Sequence, residues 1–147
     1  MILLNQTDPR FANVKMLPSN ITIGRAGCLL CSLCMLSDYF GEFVLPQQAI
    51  GQQVFFNKSG YVIWEKLNFS KFKLEKRIRN YDKLEVKMSI KDPKRAVCLN
   101  VNNGSHWVVA VKALPGDYYW CYDPYGGKRK LYKGSQISGS ANIISKF

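Results

Sequence analysis

Residues 28–40 read CLLCSLCMLSDYF, and this stretch decides the fold because it is apolar on almost every side of the helix that it predicts. Gly41 follows directly and is a typical helix stop. A helix that is apolar all round is found in the middle of a core rather than on a surface. We therefore expect residues 28–40 to form a central helix against which the rest of the chain packs.

Shorter elements are predicted after the central helix. Pro46 favours a helix start and opens an apolar pattern that runs through Phe55. A third, short helix is predicted over residues 60–67. Over residues 71–79 charged and apolar residues alternate, which indicates an exposed amphipathic strand with a basic outer face.

The second half of the chain consists of β-type runs separated by turn residues. The predicted strands cover residues 96–101, 106–111, 118–123, 128–132 and 142–146. Residues 102–105 and 114–117 form the turns between the first three of them. Consecutive strands with short turns form an antiparallel meander. The expected architecture is thus an α+β domain with N-terminal helices packed on a C-terminal antiparallel sheet.

Size and composition indicate a single domain over residues 1–147. Hydrophobic residues make up 47% of the chain and charged residues 21%, which is enough apolar material for a core. No stretch reaches about 18 consecutive apolar residues, so no transmembrane segment is predicted. Residues 1–17 lack the basic start and apolar run of a Sec signal peptide. The interpretation is cytoplasmic synthesis, with release by lysis, in a virion or through a secretion system left open.

The chain is strongly basic, with 21 Lys and Arg against 10 Asp and Glu and a formal net charge of +11. Such a surface favours an anionic partner, for example a cell-wall polymer, a membrane surface, nucleic acid or an acidic protein. A solvated basic face that aids solubility is the alternative. For residues 71–79 this alternative is favoured over a nucleic-acid footprint.

Three residues form a potential catalytic set. Cys28 lies where the loop of residues 23–27 becomes the central helix, and the start of a helix favours the ionised form of a thiol. His106, the single histidine, begins one predicted strand and Asp123 ends the next. If these strands pair across the turn at 114–117, both residues lie at the same end of the sheet, with a bulge or a diagonal pair absorbing the difference in length. An imidazole held by a carboxylate can take the proton of a thiol.

Cys28, Cys31 and Cys34 also form a CxxCxxC run, which is a potential zinc or iron–sulfur ligand set. A cluster-binding loop needs a non-helical wrap and a fourth thiolate, whereas the apolar neighbours here predict a packed helix. Cys31 and Cys34 are therefore interpreted as core residues. We expect no metal and no cofactor.

Several blocks of the sequence resemble a known family. They are LNQTDPRF at 4–11, TIGRAGC at 22–28, YFG at 39–41, GSHWVV at 104–109 and YDPYG at 122–126. Together they resemble free-standing relatives of the bacteriocin-processing (double-glycine leader) peptidases, which are papain-like cysteine peptidases. The blocks occur in the family's order, cysteine, then histidine, then aspartate, from about residue 4 to residue 131.

The resemblance implies a papain-like fold with a catalytic triad: Cys28 as nucleophile, His106 as general base and then acid, and Asp123 as the orienting group. It also implies an oxyanion hole built from the Cys28 N–H and a glutamine side chain, for which Gln6 matches the free-standing members. Transporter-linked members carry that glutamine six residues before the cysteine, where this chain has Thr22. A loop glutamine that caps backbone groups is the alternative for Gln6.

The predicted function is that of a thiol peptidase or amidase, which hydrolyses a peptide or amide bond through a thioester. The implied substrate is a peptide or protein, and a peptide or crosslink in an anionic cell wall is one hypothesis. This would make the protein a cell-wall peptide hydrolase of phage or secretion-system origin. The alternative is a non-catalytic basic binding module on the same fold.

Overall fold

The computed structural model describes all 147 residues and has the α+β architecture that the sequence predicts. The helices are α1 Ile23–Ala26, α2 Cys28–Tyr39, α3 Pro46–Ala49 and α4 Lys83–Lys91. The strands are β1 Phe72–Ile78, β2 Arg95–Val101, β3 His106–Leu114, β4 Tyr118–Asp123, β5 Lys128–Lys133 and β6 Ile137–Ser145. Single 3-10 turns occur at Trp64–Lys66 and Gly134–Gln136.

All six strands belong to one antiparallel sheet with the order β1-β6-β2-β3-β4-β5. Strands β2 to β5 follow one another as the predicted meander. Strand β6 does not continue the meander but lies between β1 and β2, so that it pairs with both. The sheet edges are therefore β1 and β5, and β3 lies in the interior.

Helix α2 occupies the centre of the larger of two cores, as its composition predicts. Ten of its 12 residues, Cys28 to Ser37, are buried. It packs against β2 and β3, where Cys98 and Val109 belong to the same core. A helix surrounded on all sides by protein needs apolar side chains on all sides, which explains why residues 28–37 show no polar stripe.

The opposite face of the sheet carries a second, smaller core that is covered by α4. Its buried side chains include Val86 from α4 and Tyr119 and Tyr132 from the sheet. Helices are thus not confined to the first half of the chain, and α4 was not predicted. None of the helices has the length and apolar character that crossing a membrane requires.

Two helix predictions are wrong in extent. The helix that begins at Pro46 ends at Ala49 after one turn, and Gly51 follows with a φ of 75°, a left-handed conformation that glycine adopts without strain. The apolar residues as far as Phe55 therefore pack as irregular chain. The helix predicted over residues 60–67 is only the 3-10 turn at Trp64–Lys66.

Candidate active site

Cys28 is the first residue of α2 and follows a tight corner in the backbone. Helix α1 ends at Ala26, and the Gly27 N–H donates to Ile23 O at 2.7 Å. A Cβ atom at Gly27 would lie 2.5 Å from that same oxygen, so only glycine fits at this corner. The corner places Cys28 at the start of α2 with 9% of its surface exposed.

The backbone around Cys28 offers hydrogen-bond donors. The regular bonds of α2 begin with the Cys31 N–H, which donates to Gly27 O at 2.9 Å. The first N–H groups of a helix have no partner within the helix, and the Cys28 N–H is one of these groups. Together with the positive end of the helix dipole, such groups stabilise a negatively charged oxygen.

His106 and Asp123 are in direct contact at one end of the sheet. Strands β3 and β4 pair with Val109 opposite Tyr122, and a bulge between Ala110 and Lys112 takes up an extra residue of β3. His106 lies three residues beyond Val109, and Asp123 lies one residue beyond Tyr122, so the two form a diagonal pair. His106 Nε2 and Asp123 Oδ1 are 2.7 Å apart. Both the bulge and the diagonal contact agree with the strand lengths in the sequence.

Asp123 is a buried carboxylate that accepts hydrogen bonds on both of its oxygens. Its Oδ1 also accepts a hydrogen bond from the Tyr125 N–H at 2.8 Å, and its Oδ2 accepts one from the Tyr132 hydroxyl at 2.7 Å. Burial raises the pKa of Asp123, but the bonds from His106, Tyr132 and the Tyr125 N–H outweigh burial and lower it. Asp123 is therefore ionised at neutral pH.

His106 connects Asp123 to Cys28. Because Nε2 faces Asp123, Nδ1 is the ring nitrogen left to face Cys28, which lines the same cleft. Burial lowers the pKa of His106, but the hydrogen bonds to Asp123 and Cys28 outweigh burial and raise the pKa to about 9. The imidazole is therefore positively charged at neutral pH.

Gln6 lies in the same place, although its chain position is distant. Its N–H donates to Pro124 O at 2.9 Å, and its side-chain Nε2 donates to Gly24 O at 3.2 Å. These two bonds tie the loop after Asp123 to α1, the helical turn that the structure has where the sequence predicts a loop before Cys28. The bond to Gly24 is a backbone cap, which is the alternative role that the sequence predicts for Gln6. It uses one of the two Nε2 hydrogens. No group of the protein accepts a bond from the second hydrogen.

The three candidate residues Gln6, Cys28 and His106 line one cleft of about 430 Å³. Asp123 lies behind His106 and is only 2% exposed. Such a volume is in the range of pockets that hold a small ligand or a few residues of a peptide. All four residues that the sequence singles out are thus brought to one site.

Sequence reasoning missed Tyr132, which holds the far oxygen of Asp123. In β5 this tyrosine is the one buried residue among exposed, mostly basic neighbours, a contrast that marks an inward-facing side chain. Its partner could not be read from the chain, because Asp123 and Tyr132 meet only when β4 and β5 pair. Trp107, beside His106, lines the cleft and packs against Trp64, with the Arg77 guanidinium over both rings at 4.4 and 5.2 Å.

We expect Tyr132→Phe to lower the free energy of unfolding by about 1.5–3 kcal/mol, because it removes one hydrogen bond to a buried charged group. Without the hydroxyl, Oδ2 of Asp123 is left buried with no partner. Urea denaturation at neutral pH measures the loss.

Tyr119→Phe is the matched control for that variant. Tyr119 is equally buried in the same core, but its hydroxyl bonds to Tyr81 rather than to Asp123. Equal losses in the two variants would show that the effect of Tyr132 is one of packing alone.

No family model, no curated protein and no solved structure matches this chain. What the fold and the site define is an α+β domain in which a thiol at a helix start lines the same cleft as an imidazole that is bonded to a buried carboxylate. Function is therefore inferred from this geometry.

Proposed function

We propose that this protein is a papain-like cysteine peptidase or amidase. The observation that carries the proposal is that His106, which bonds to Asp123, lines the same cleft as Cys28, and that this cleft can hold a substrate. The architecture supports the fold assignment, since the cysteine begins a buried helix and the histidine and aspartate come from the antiparallel sheet packed on it.

In the proposed reaction the Cys28 thiolate attacks the carbonyl carbon of the scissile bond. The negative charge that develops on the carbonyl oxygen is held by the Cys28 N–H and the free Nε2 hydrogen of Gln6. The His106 imidazolium then donates its proton to the leaving amine, and a thioester on Cys28 remains. Water attacks this thioester as His106 takes its proton, which releases the acid product and restores the thiolate–imidazolium pair.

The state of Asp123 favours an enzyme over a non-catalytic basic module. A buried carboxylate costs free energy unless it is paired, and here its partner is an imidazole that lines the same cleft as a thiol. A protein that only binds polyanions through its net charge of +11 does not need a buried carboxylate paired with an imidazole. The same charge supports an anionic, for example cell-wall, environment for the substrate.

The test is the rate at which iodoacetamide alkylates Cys28, followed by peptide mass spectrometry. We expect Cys28, as the proposed nucleophile beside a positively charged His106, to react near neutral pH faster than the free thiol of a small peptide. Since the pKa of His106 is raised to about 9, this advantage is present below that pH and is lost as the pH rises through about 9. The advantage disappears in His106→Ala.

Cys98 provides an internal control, because it is fully buried and burial raises its pKa to about 12. If Cys28 reacts no faster than the peptide thiol, or if His106→Ala reacts as fast as the wild type, the enzyme proposal fails.

A further inference from the structure

The cleft is lined by residues of unequal chemistry. Of its 17 lining residues, Arg25 is the only one with a permanent charge, and no Asp or Glu is among them. Ile21, Phe56 and Val62 contribute an apolar part of the lining. Gly104 and Ser105 contribute small residues beside His106. A substrate that enters the cleft therefore meets apolar surface and one cation besides the triad.

The Arg25 guanidinium has no partner within the protein. Its side chain makes no hydrogen bond and no ion pair, whereas its backbone N–H is fixed by the Thr22 side chain at 3.3 Å. The nearest acidic residue before it in sequence, Asp8, is already paired with Arg10 at 2.8 Å. The backbone of Arg25 is thus held while its charge is left free.

Arg25 lies close in sequence to the proposed nucleophile, Cys28. It lies in α1, three residues before Cys28 and on the other side of the Gly27 corner. Arg25 and Cys28 line the same cleft, so a substrate whose scissile bond lies at Cys28 also passes the guanidinium. The planar guanidinium donates two parallel hydrogen bonds to a carboxylate, a geometry that a lysine cannot offer.

We propose that Arg25 binds a carboxylate of the substrate, so that the cleft selects acidic peptides. This inference rests on the proposed peptidase or amidase function and names its substrate class. The carboxylate is either an acidic side chain next to the scissile bond or the free C-terminus of a short peptide. Both present the same chemistry to Arg25.

The experiment compares fluorogenic peptides that differ only in charge. One pair carries Glu or Gln next to the scissile bond, and a second pair has a free or an amidated C-terminus. We expect kcat/KM to favour one acidic member about tenfold, as for a partly exposed charge-assisted hydrogen bond. The pair that shows the preference identifies which carboxylate is bound. Salt should reduce the preference, because it screens exposed charges.

Substitutions at Arg25 and Lys112 test which cation causes the preference for acidic peptides. In Arg25→Gln the acidic-to-neutral ratio should fall to about one. Lys112→Gln removes the same charge from the exposed part of β3 that does not line the cleft, so the ratio should stay at its wild-type value. An unchanged ratio in Arg25→Gln, or an equal fall in Lys112→Gln, overturns the inference.

Binding of the same peptides to Cys28→Ala, measured by fluorescence anisotropy, separates this inference from the proposed function. Hydrolysis without an acidic preference refutes the Arg25 site and keeps the peptidase. Acidic preference in binding that depends on Arg25, without hydrolysis by the wild type, keeps the site and refutes the peptidase. If no peptide is bound and none is hydrolysed, both the Arg25 site and the peptidase proposal are refuted.

Discussion

Replacing Cys28 with serine is expected to lower the hydrolysis rate by at least about 10³-fold, because removing the nucleophile of a triad leaves only the weak catalysis by the remaining groups. Serine fits the space of the thiol, but its hydroxyl does not ionise beside an imidazolium and needs a free base to activate it. His106 is protonated up to a pH of about 9 and is therefore a poor base for that purpose. Steady-state kinetics with a fluorogenic peptide measures the loss.

Cys31→Ala is the matched control for this variant. Cys31 lies one turn further along α2 and is completely buried, so its replacement tests whether disturbing the packing of the helix is sufficient to stop turnover. We expect Cys31→Ala to lower the melting temperature but to retain most of kcat. A Cys28→Ser protein with more than a tenth of wild-type activity would contradict the assigned nucleophile.

His106→Ala is expected to lower kcat by about 10³-fold or more, since in the proposed reaction the proton transfers to and from the substrate both pass through this ring. It is the only histidine of the chain, so no neighbouring imidazole can replace it. Imidazole added to the buffer should restore part of the activity, because the missing ring leaves a space between Cys28 and Asp123. A variant that is folded but regains nothing from imidazole would argue against His106 as the base.

The same variant changes how stability depends on pH. The folded-state pKa of His106, about 9, lies above its ordinary value of 6.5, so protonation of His106 stabilises the fold. This contribution is complete below about pH 6.5 and is lost as the pH rises through about 9. Melting temperatures of the wild type should fall over this interval, and those of His106→Ala should lack that component.

The parts of the structure that were predictable are those with strong local patterns. The run of apolar residues at 28–40 defined a buried helix, and the lengths of the strands on either side of the turn at 114–117 brought His106 and Asp123 to one end of the sheet. The separation of His106 and Asp123 along the chain did not prevent the prediction. In an antiparallel pair joined by a short turn, the residues that lie opposite each other follow from counting outward from the turn.

Features that depend on contacts distant in sequence were not predictable. Helix α4 could not be predicted because two of its apolar residues, Leu84 and Met88, are exposed. The apolar residues of α4 therefore do not form the single inward stripe that identifies an amphipathic helix. Tyr132 meets Asp123 only through the pairing of β4 and β5. The cleft around Arg25 combines segments from the whole chain, and only the folded arrangement shows that no acidic residue lines it.

The place of β6 in the sheet has a consequence for the order of folding. Strand β1 has no other neighbour in the sheet, and its partner β6 follows it by more than 60 residues, with Phe72 opposite Ser145. The meander β2 to β5 can form from nearby segments, whereas closing the sheet around β6 must overcome the entropy of a long loop. We therefore expect the hairpin that carries His106 and Asp123 to form early in refolding and β1 to be the last strand to join.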